Sequence, residues 1–444
     1  MVTYNVTNNA NTSLSNLVVQ QPISTTGKSS LISLQANTCT GTLAAGGKCS
    51  FQLLIKGANN SEQQPSSFTI SPEICSFNSS LCIGTTTLNN LTVQTYSISA
   101  TPFAYLGVLY SGSNKNNLVP INSASLLLGT PTSVAYDWTI PHEDSPVAVS
   151  MDGSRVYTLE APSGNLIVLS SGSAPQILDT IALGLFPLLH PSIVVSPDGN
   201  TIYVAGTYNG ILGYSKIYVV SYNQGTYTVS TPSFDDTSFI YVGGMAVSPD
   251  GKTLYVSDYW GGNDIRGAFY AFDIHNNYSR LVTLNNNNAG CNFHLPNQLA
   301  VMPDNQTIYV DAQASPQGMQ VISNDHGVYT CSHYLSYITD QTNGMTITPD
   351  GKYLYTASNN VANHKIYVID TQNNSALTSA TLPSGIYPFG VAVTPDGSQL
   401  FVSTNIGSST TNAYVFSLSN GLPNGNPTGI NMTGPQSTIG QFIN

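Results

Sequence analysis

Charge is what this chain has least of: only 7% of its 444 residues are ionised, with 11 Lys and Arg against 22 Asp and Glu. So few basic side chains cannot track a phosphate backbone, and a net charge of -11 opposes polyanions and anionic membranes alike, so no nucleic-acid partner is expected. No apolar run is long enough to cross a bilayer as a helix, and no membrane insertion is expected. The opening MVTYNVTNN lacks the charged and apolar regions of a leader and reads as a mature start behind an initiator Met. Disorder is excluded by the 41% of hydrophobic residues. Solubility must therefore come from Asn, Ser, Thr, Gln and Gly.

Cysteine is sparse as well, six in all, and none stands in a CxxC or zinc-like spacing. By position they pair as Cys39 with Cys49, Cys75 with Cys82 and Cys291 with Cys331. That points to disulfides and a secreted, surface or periplasmic location, the alternative being unpaired core thiols. Asn-x-Ser/Thr triplets such as those at Asn5, Asn78 and Asn90 arise by chance in an Asn-rich chain and carry no weight here.

What the chain does have is a repeat. VAVSMDGSRVYTLE from Val147 returns as IVVSPDGNTIYVAG from Ile193, MAVSPDGKTLYVSD from Met245 and LAVMPDNQTIYVDA from Leu299, then as MTITPDGKYLYTAS from Met345 and VAVTPDGSQLFVST from Val391. Successive copies start 46, 52, 54, 46 and 46 residues apart, the spacing of four-stranded propeller blades. Within a copy, an apolar run such as Val391-Ala392-Val393 suits a buried strand, Pro395-Asp396-Gly397 turns the chain, and Leu400-Phe401-Val402 starts a second strand. Third strands follow, as in KIYVVSY from Lys216. The regularly spaced aspartates Asp152, Asp198, Asp250, Asp304, Asp350 and Asp396 are thereby read as turn residues rather than metal ligands.

Six copies and one further blade split between the chain ends make seven, with six or eight blades as the alternatives. FAYLGVLYSGSNKNNLVPIN from Phe103 reads as its second and third strands, SVAYDWTI from Ser133 as its fourth, and Ile439–Ile443 as the missing first. Closing the ring in this way removes exposed sheet edges. The expected fold is all-β, a seven-bladed β-propeller over residues 102–444 preceded by a small β-sandwich over 1–101.

The Ser/Thr-Pro-Asp-Gly turns followed by Ile-Tyr-Val or Leu-Tyr-Val resemble the YVTN family of β-propeller repeats, found in bacterial and archaeal surface-layer and secreted proteins and akin to lactonase-type propellers. The chain departs from that pattern at Asp304-Asn305, where Asn replaces Gly. CTGTLAAGGKCSFQL from Cys39 resembles bacterial immunoglobulin-like modules, which implies a surface or periplasmic module without chemistry of its own.

Function is sought on the face where loops enter the first strands. Those loops stack His142, Glu143 and Asp144 near His190, Tyr241, His294, Asp340 and Tyr387. Imidazole and carboxylate together suit a divalent metal, held by His142, Glu143, His190, His294 and Asp340. The simple preference of polar residues for solvent-facing loops explains the same cluster. Loops between second and third strands add Tyr208, Tyr214, Tyr259, Trp260, Asp264, Arg266 and His364. Flat aromatic faces with polar edges suit sugars or peptides, so Tyr208, Tyr241, Tyr259, Trp260, Arg266 and Tyr387 form the expected ligand surface. No nucleophile elbow, phosphate loop or catalytic cysteine is visible.

The leading reading is a non-catalytic protein that binds a glycan, peptide or host surface. A lactonase-like or lyase-like enzyme and a structural spacer of a surface assembly are the alternatives, and the sequence does not decide an oligomeric state. Deleting the last eight residues is expected to destabilise the whole ring, whereas removing residues 1 to about 95 leaves it folded. Thermal denaturation of the two truncated chains separates these outcomes.

Overall fold

A computed structural model describes residues 2–7, 14–20, 32–35, 38–55, 66–70, 73–76, 82–84 and 91–95 of one compact unit, Met1–Ala100. Of the other, Thr101–Asn444, it describes 103–109, 115–135, 146–150, 152–160, 163–186, 191–208, 215–234, 239, 241–259, 267–314, 317–358, 360, 363–377, 379–405, 411–431 and 437–438. Every regular element among them is a strand.

In the first unit Lys48–Ile55 pairs antiparallel with both Val2–Thr7 and Ile32–Gln35. Leu14–Gln20 joins Gly41–Leu43 to Glu73–Ser76, which continues to Cys82–Gly84, and Ser66–Ile70 pairs with Leu91–Thr95. Cys39 and Cys49 form a disulfide. Cys75 stands opposite Cys82 in register, with both side chains outside the described residues.

The second unit is a seven-bladed β-propeller. Each of the six repeats builds one antiparallel blade, numbered here in chain order. The third shows the plan: Val242–Val247, Thr253–Asp258, Ala268–Asp273 and Ser279–Asn285 lie side by side in that order. In the second blade the first strand is split into Leu185–Phe186 and Ser192–Val195, and in the fifth the outer strand into Ser375–Ala376 and Ala380–Thr381. The closing blade combines Phe103–Leu109, Lys115–Asn122 and Thr132–Ala135 with Ser437–Thr438, which pairs with Val108 and Gly107. Pairing thus begins two residues before the segment expected to close the ring; Ile439–Ile443 lies outside the described residues.

The repeated aspartates build turns. In the second blade Asp198 Oδ1 accepts from Ser196 Oγ at 2.5 Å and Asn200 N at 3.0 Å, while Gly199 N donates to Ser196 O at 2.8 Å. The five glycines after these aspartates have φ between +66° and +73°, a region closed to most side chains. Asn305 fills the same place at +61°, as its tolerance of that region allows. At Asp152, Asp198, Asp350 and Asp396 burial raises the carboxyl pKa, but hydrogen bonds outweigh it and hold each below the usual value.

Between neighbouring blades lie seven apolar clusters, one per seam. Each contains one ring from the same repeat position: Tyr105, Tyr157, Tyr203, Tyr255, Tyr309, Tyr355 or Phe401. The six tyrosines are less than 2% exposed. The hydroxyls of Tyr105, Tyr203, Tyr309 and Tyr355 reach the hairpin joining the third and fourth strands of the next blade. Tyr105 Oη accepts from Gly172 N at 2.6 Å, Tyr309 donates to Asn374 Oδ1 at 2.7 Å, and Tyr355 donates to Gly421 O. Tyr203 and Tyr278 bring their hydroxyls to 3.5 Å, and Tyr255 meets Tyr329 edge-on. Between the first and second blades the buried hydroxyls of Tyr157 and Tyr227 face each other. At the last seam the hydroxyl is absent: Phe401 shares its cluster with Leu126 of the closing blade.

Tyr309→Phe should therefore lower the unfolding free energy by about 1 kcal/mol, the cost of leaving Asn374 Oδ1 without its donor. Phe401→Tyr should cost about 1–3 kcal/mol by placing a hydroxyl in an apolar seam. Urea denaturation of both variants measures the difference.

Candidate functional site on the loop-rich face

Antiparallel order puts the Asp-Gly turns and the third-to-fourth hairpins on one face of the ring. The loops that lead into first strands, and those between second and third strands, share the opposite face. Glycine lets the first strands crowd together there. A Cβ on Gly244 would stand 2.4 Å from Asn297 O, and one on Gly344 2.5 Å from Gly390 Cα.

Three buried carboxylates organise the described part of this face. Asp258, 1% exposed at the end of a second strand, accepts from Tyr241 N at 2.9 Å; Tyr259 N in turn donates to Tyr241 O at 2.6 Å. Asp311, also 1% exposed, accepts from Asn297 N at 2.7 Å and Gln298 N at 2.8 Å. Each acid thus ties the loop leading into a blade to the second strand of that same blade. Links then run from blade to blade: Ser257 Oγ donates to Asn297 O at 3.0 Å, and Gln313 Nε2 to Thr342 O and Asn343 Oδ1, both at 3.2 Å.

Asp340, expected as a metal ligand, is 3% exposed and surrounded by donors. Its Oδ1 accepts from Asn360 Nδ2 at 2.8 Å and Asn363 Nδ2 at 3.0 Å; its Oδ2 accepts from Ser358 Oγ and Tyr367 Oη, both at 2.8 Å, and again from Asn363 at 3.0 Å. Burial pushes its pKa up, yet these hydrogen bonds together hold it below the usual carboxylate value. The carboxylate is occupied in fastening the long loop of the fifth blade.

His294 is half-buried, and its carbonyl accepts from Ala314 N at 3.0 Å. The loop bearing it is stapled to the fourth blade by the Cys291–Cys331 disulfide and by Asn292 N on Gln320 Oε1 at 2.9 Å. His364 turns both ring nitrogens on the loop before the sixth blade, Nδ1 to Ile386 O at 2.8 Å and Nε2 to Gly385 N at 3.3 Å. Its ring stacks on Tyr387 with centroids 5.6 Å apart. The structure thus brings Tyr241 to Tyr259 and Tyr387 to His364. Among the described residues no three His, Cys, Asp or Glu side chains gather closely enough to hold a metal. His142, Glu143, His190, Trp260 and Arg266 lie outside the described residues, as does the side chain of Tyr208.

Sequence reasoning passed over Asp258 and Asp311. Their signal was a charge inside an otherwise apolar second strand, in YVSD and YVDA, within a chain holding only 22 acidic residues.

Fold and face define a seven-bladed propeller with a loop-bearing mouth. No known protein family and no curated protein matches the chain. Solved propellers do. A candidate 6-phosphogluconolactonase of Bacteroides uniformis is similar at 18% identity and a TM-score of 0.54, covering 77% of this chain and 98% of that one. A Lactobacillus plantarum protein aligns over the same shares at 15% identity and a TM-score of 0.55. The periplasmic gluconolactonase of Pseudomonas aeruginosa does so at 14% and 0.53. Identities this low establish the shared fold alone.

Because the folded-state pKa of Asp340 lies below its ordinary value, its carboxylate stabilises the fold fully above about pH 4, and this is lost as pH falls through the depressed value. Asp340→Ala should cost about 3 kcal/mol or more at neutral pH by stranding several donors. Asp340→Asn should flatten the decline in urea midpoint as pH falls below about 4.

Proposed function

We propose that the protein is an extracytoplasmic binding propeller whose loop-rich face takes a carbohydrate. One observation carries this reading: the buried acids of that face are engaged in holding backbone and loops, and the half-buried residues Tyr241, Tyr259 and Tyr387 lie at strand ends on the same face. The backbones of Tyr241 and Tyr259 are bonded to each other and that of Tyr241 also to Asp258, so the chain segments that carry the two aromatic groups are held in place. Sugar rings stack on such faces through their C–H groups while hydroxyls find the Asn- and Gln-rich loops. The Cys39–Cys49 and Cys291–Cys331 disulfides support an oxidising compartment.

Lactone hydrolysis is the second reading, favoured by the two similar propellers described as lactonases. It would draw on His294 together with His142, Glu143 and His190, which the sequence assigns to loops entering first strands.

Glycan-array screening followed by calorimetry is the test. Tyr241→Ala or Tyr259→Ala should weaken binding at least about tenfold, or about 1.4 kcal/mol. A failure of every glycan to bind sinks the carbohydrate reading, and turnover of a sugar lactone that a chelator abolishes would replace it with the second.

A further inference from the structure

The propeller contains four Asn-x-Ser/Thr triplets, beginning at Asn277, Asn305, Asn373 and Asn431. In a chain so rich in Asn the motif alone means little, but the fold sorts the copies by what surrounds them. The Asn431 triplet runs from the end of an outer strand into residues 432–433, outside those described.

Asn277 and Asn373 occupy equivalent places in the third and fifth blades, the exposed hairpin between third and fourth strands. At Asn277 the backbone takes φ +49°, and the middle residue Tyr278 packs inward, its ring centroid 4.9 Å from that of Phe234. The hydroxyl residues of both triplets, Ser279 and Ser375, open outer strands, which have a neighbour on one side only. Asn305 is different. Its Oδ1 accepts from Asp250 N of the preceding blade at 3.1 Å, and its carbonyl from Asn324 Nδ2 at 3.3 Å. Its hydroxyl partner Thr307 belongs to a second strand flanked on both sides, opposite Ser323 and bonded through its carbonyl to Met302 N at 2.8 Å.

A transferase must draw the triplet out into an extended conformation in its own active site. The hairpins of Asn277 and Asn373 also touch the preceding blade, Tyr278 through Tyr203 and Asn374 through Tyr309, but they open outer strands and can yield in this way, whereas a turn continuous with an inner strand cannot. We infer that Asn277 and Asn373 are N-glycosylation sites of the folded protein and that Asn305 is not. In the reaction Asn Nδ2 attacks C1 of a lipid-diphosphate-linked sugar. The new N–C1 bond forms as the C1–O bond breaks, the lipid diphosphate leaves with the electron pair, and one amide proton passes to the transferase. Both sites lie on the Asp-Gly face, so the attached glycans would leave the loop-rich face uncovered.

The test offers the folded, disulfide-bonded full chain, and the same chain reduced and unfolded, to an oligosaccharyltransferase with its lipid-linked donor. A free peptide bearing the triplet serves as the enzyme control. Glycan-bearing Asn is then read as 18O-labelled Asp after peptide N-glycosidase release in labelled water. The folded chain should be labelled at Asn277 and Asn373, with Asn305 labelled only in the unfolded chain. Ser279→Ala and Ser375→Ala should each erase one site. Absence of label at Asn277 and Asn373 while the control peptide reacts overturns the proposal, as does equal labelling of Asn305 in the folded chain.

Discussion

The ring depends on one aromatic side chain per seam. A blade is a sheet with two apolar faces, and neither is buried until a neighbour stacks on it. The residue that repeats as Tyr105, Tyr157, Tyr203, Tyr255, Tyr309, Tyr355 and Phe401 fills each of those contacts. Its ring supplies apolar area, and in most seams its hydroxyl reaches a hairpin of the next blade, fixing how the two sheets slide past one another. Burial alone would permit many offsets; a hydrogen bond at the far end of a rigid ring permits few. At the last seam the contact with Leu126 needs no hydroxyl, and the sequence carries Phe there.

The scarcity of charge acquires a meaning from the same point of view. Six aspartates form turns and three more, Asp258, Asp311 and Asp340, lie buried as acceptors for backbone and side-chain donors. In these places a carboxylate acts as a compact multiple acceptor rather than as a reagent.

Much of the fold was legible because the propeller is periodic. Pro-Asp-Gly marks the first hairpin of a blade, and Ile-Tyr-Val marks the strand after it, so six blades can be counted from residues alone. The closing pairing of Ser437-Thr438 had no apolar run to mark it, since it is made through backbone that any residue supplies; the apolar Ile439–Ile443 lies outside the described residues. The site was less legible. Asp340 looked like a ligand because loops suggest solvent, but its donors Ser358, Asn360, Asn363 and Tyr367 come from another stretch of chain and become its neighbours only on folding. Asp258 and Asp311 were hidden for the opposite reason, being placed in strands that otherwise read as pure core.

The split closing blade also dictates when the ring can exist. Thr438 pairs with Gly107, a partner made when most of the chain had yet to be synthesised. Until residues 437–438 emerge, the closing blade lacks its innermost strand and a sheet edge is exposed at Phe103–Leu109. Closure is therefore a late, high-contact-order step, slow relative to the hairpins that precede it. For this protein the hazard lies in that interval rather than in the finished ring.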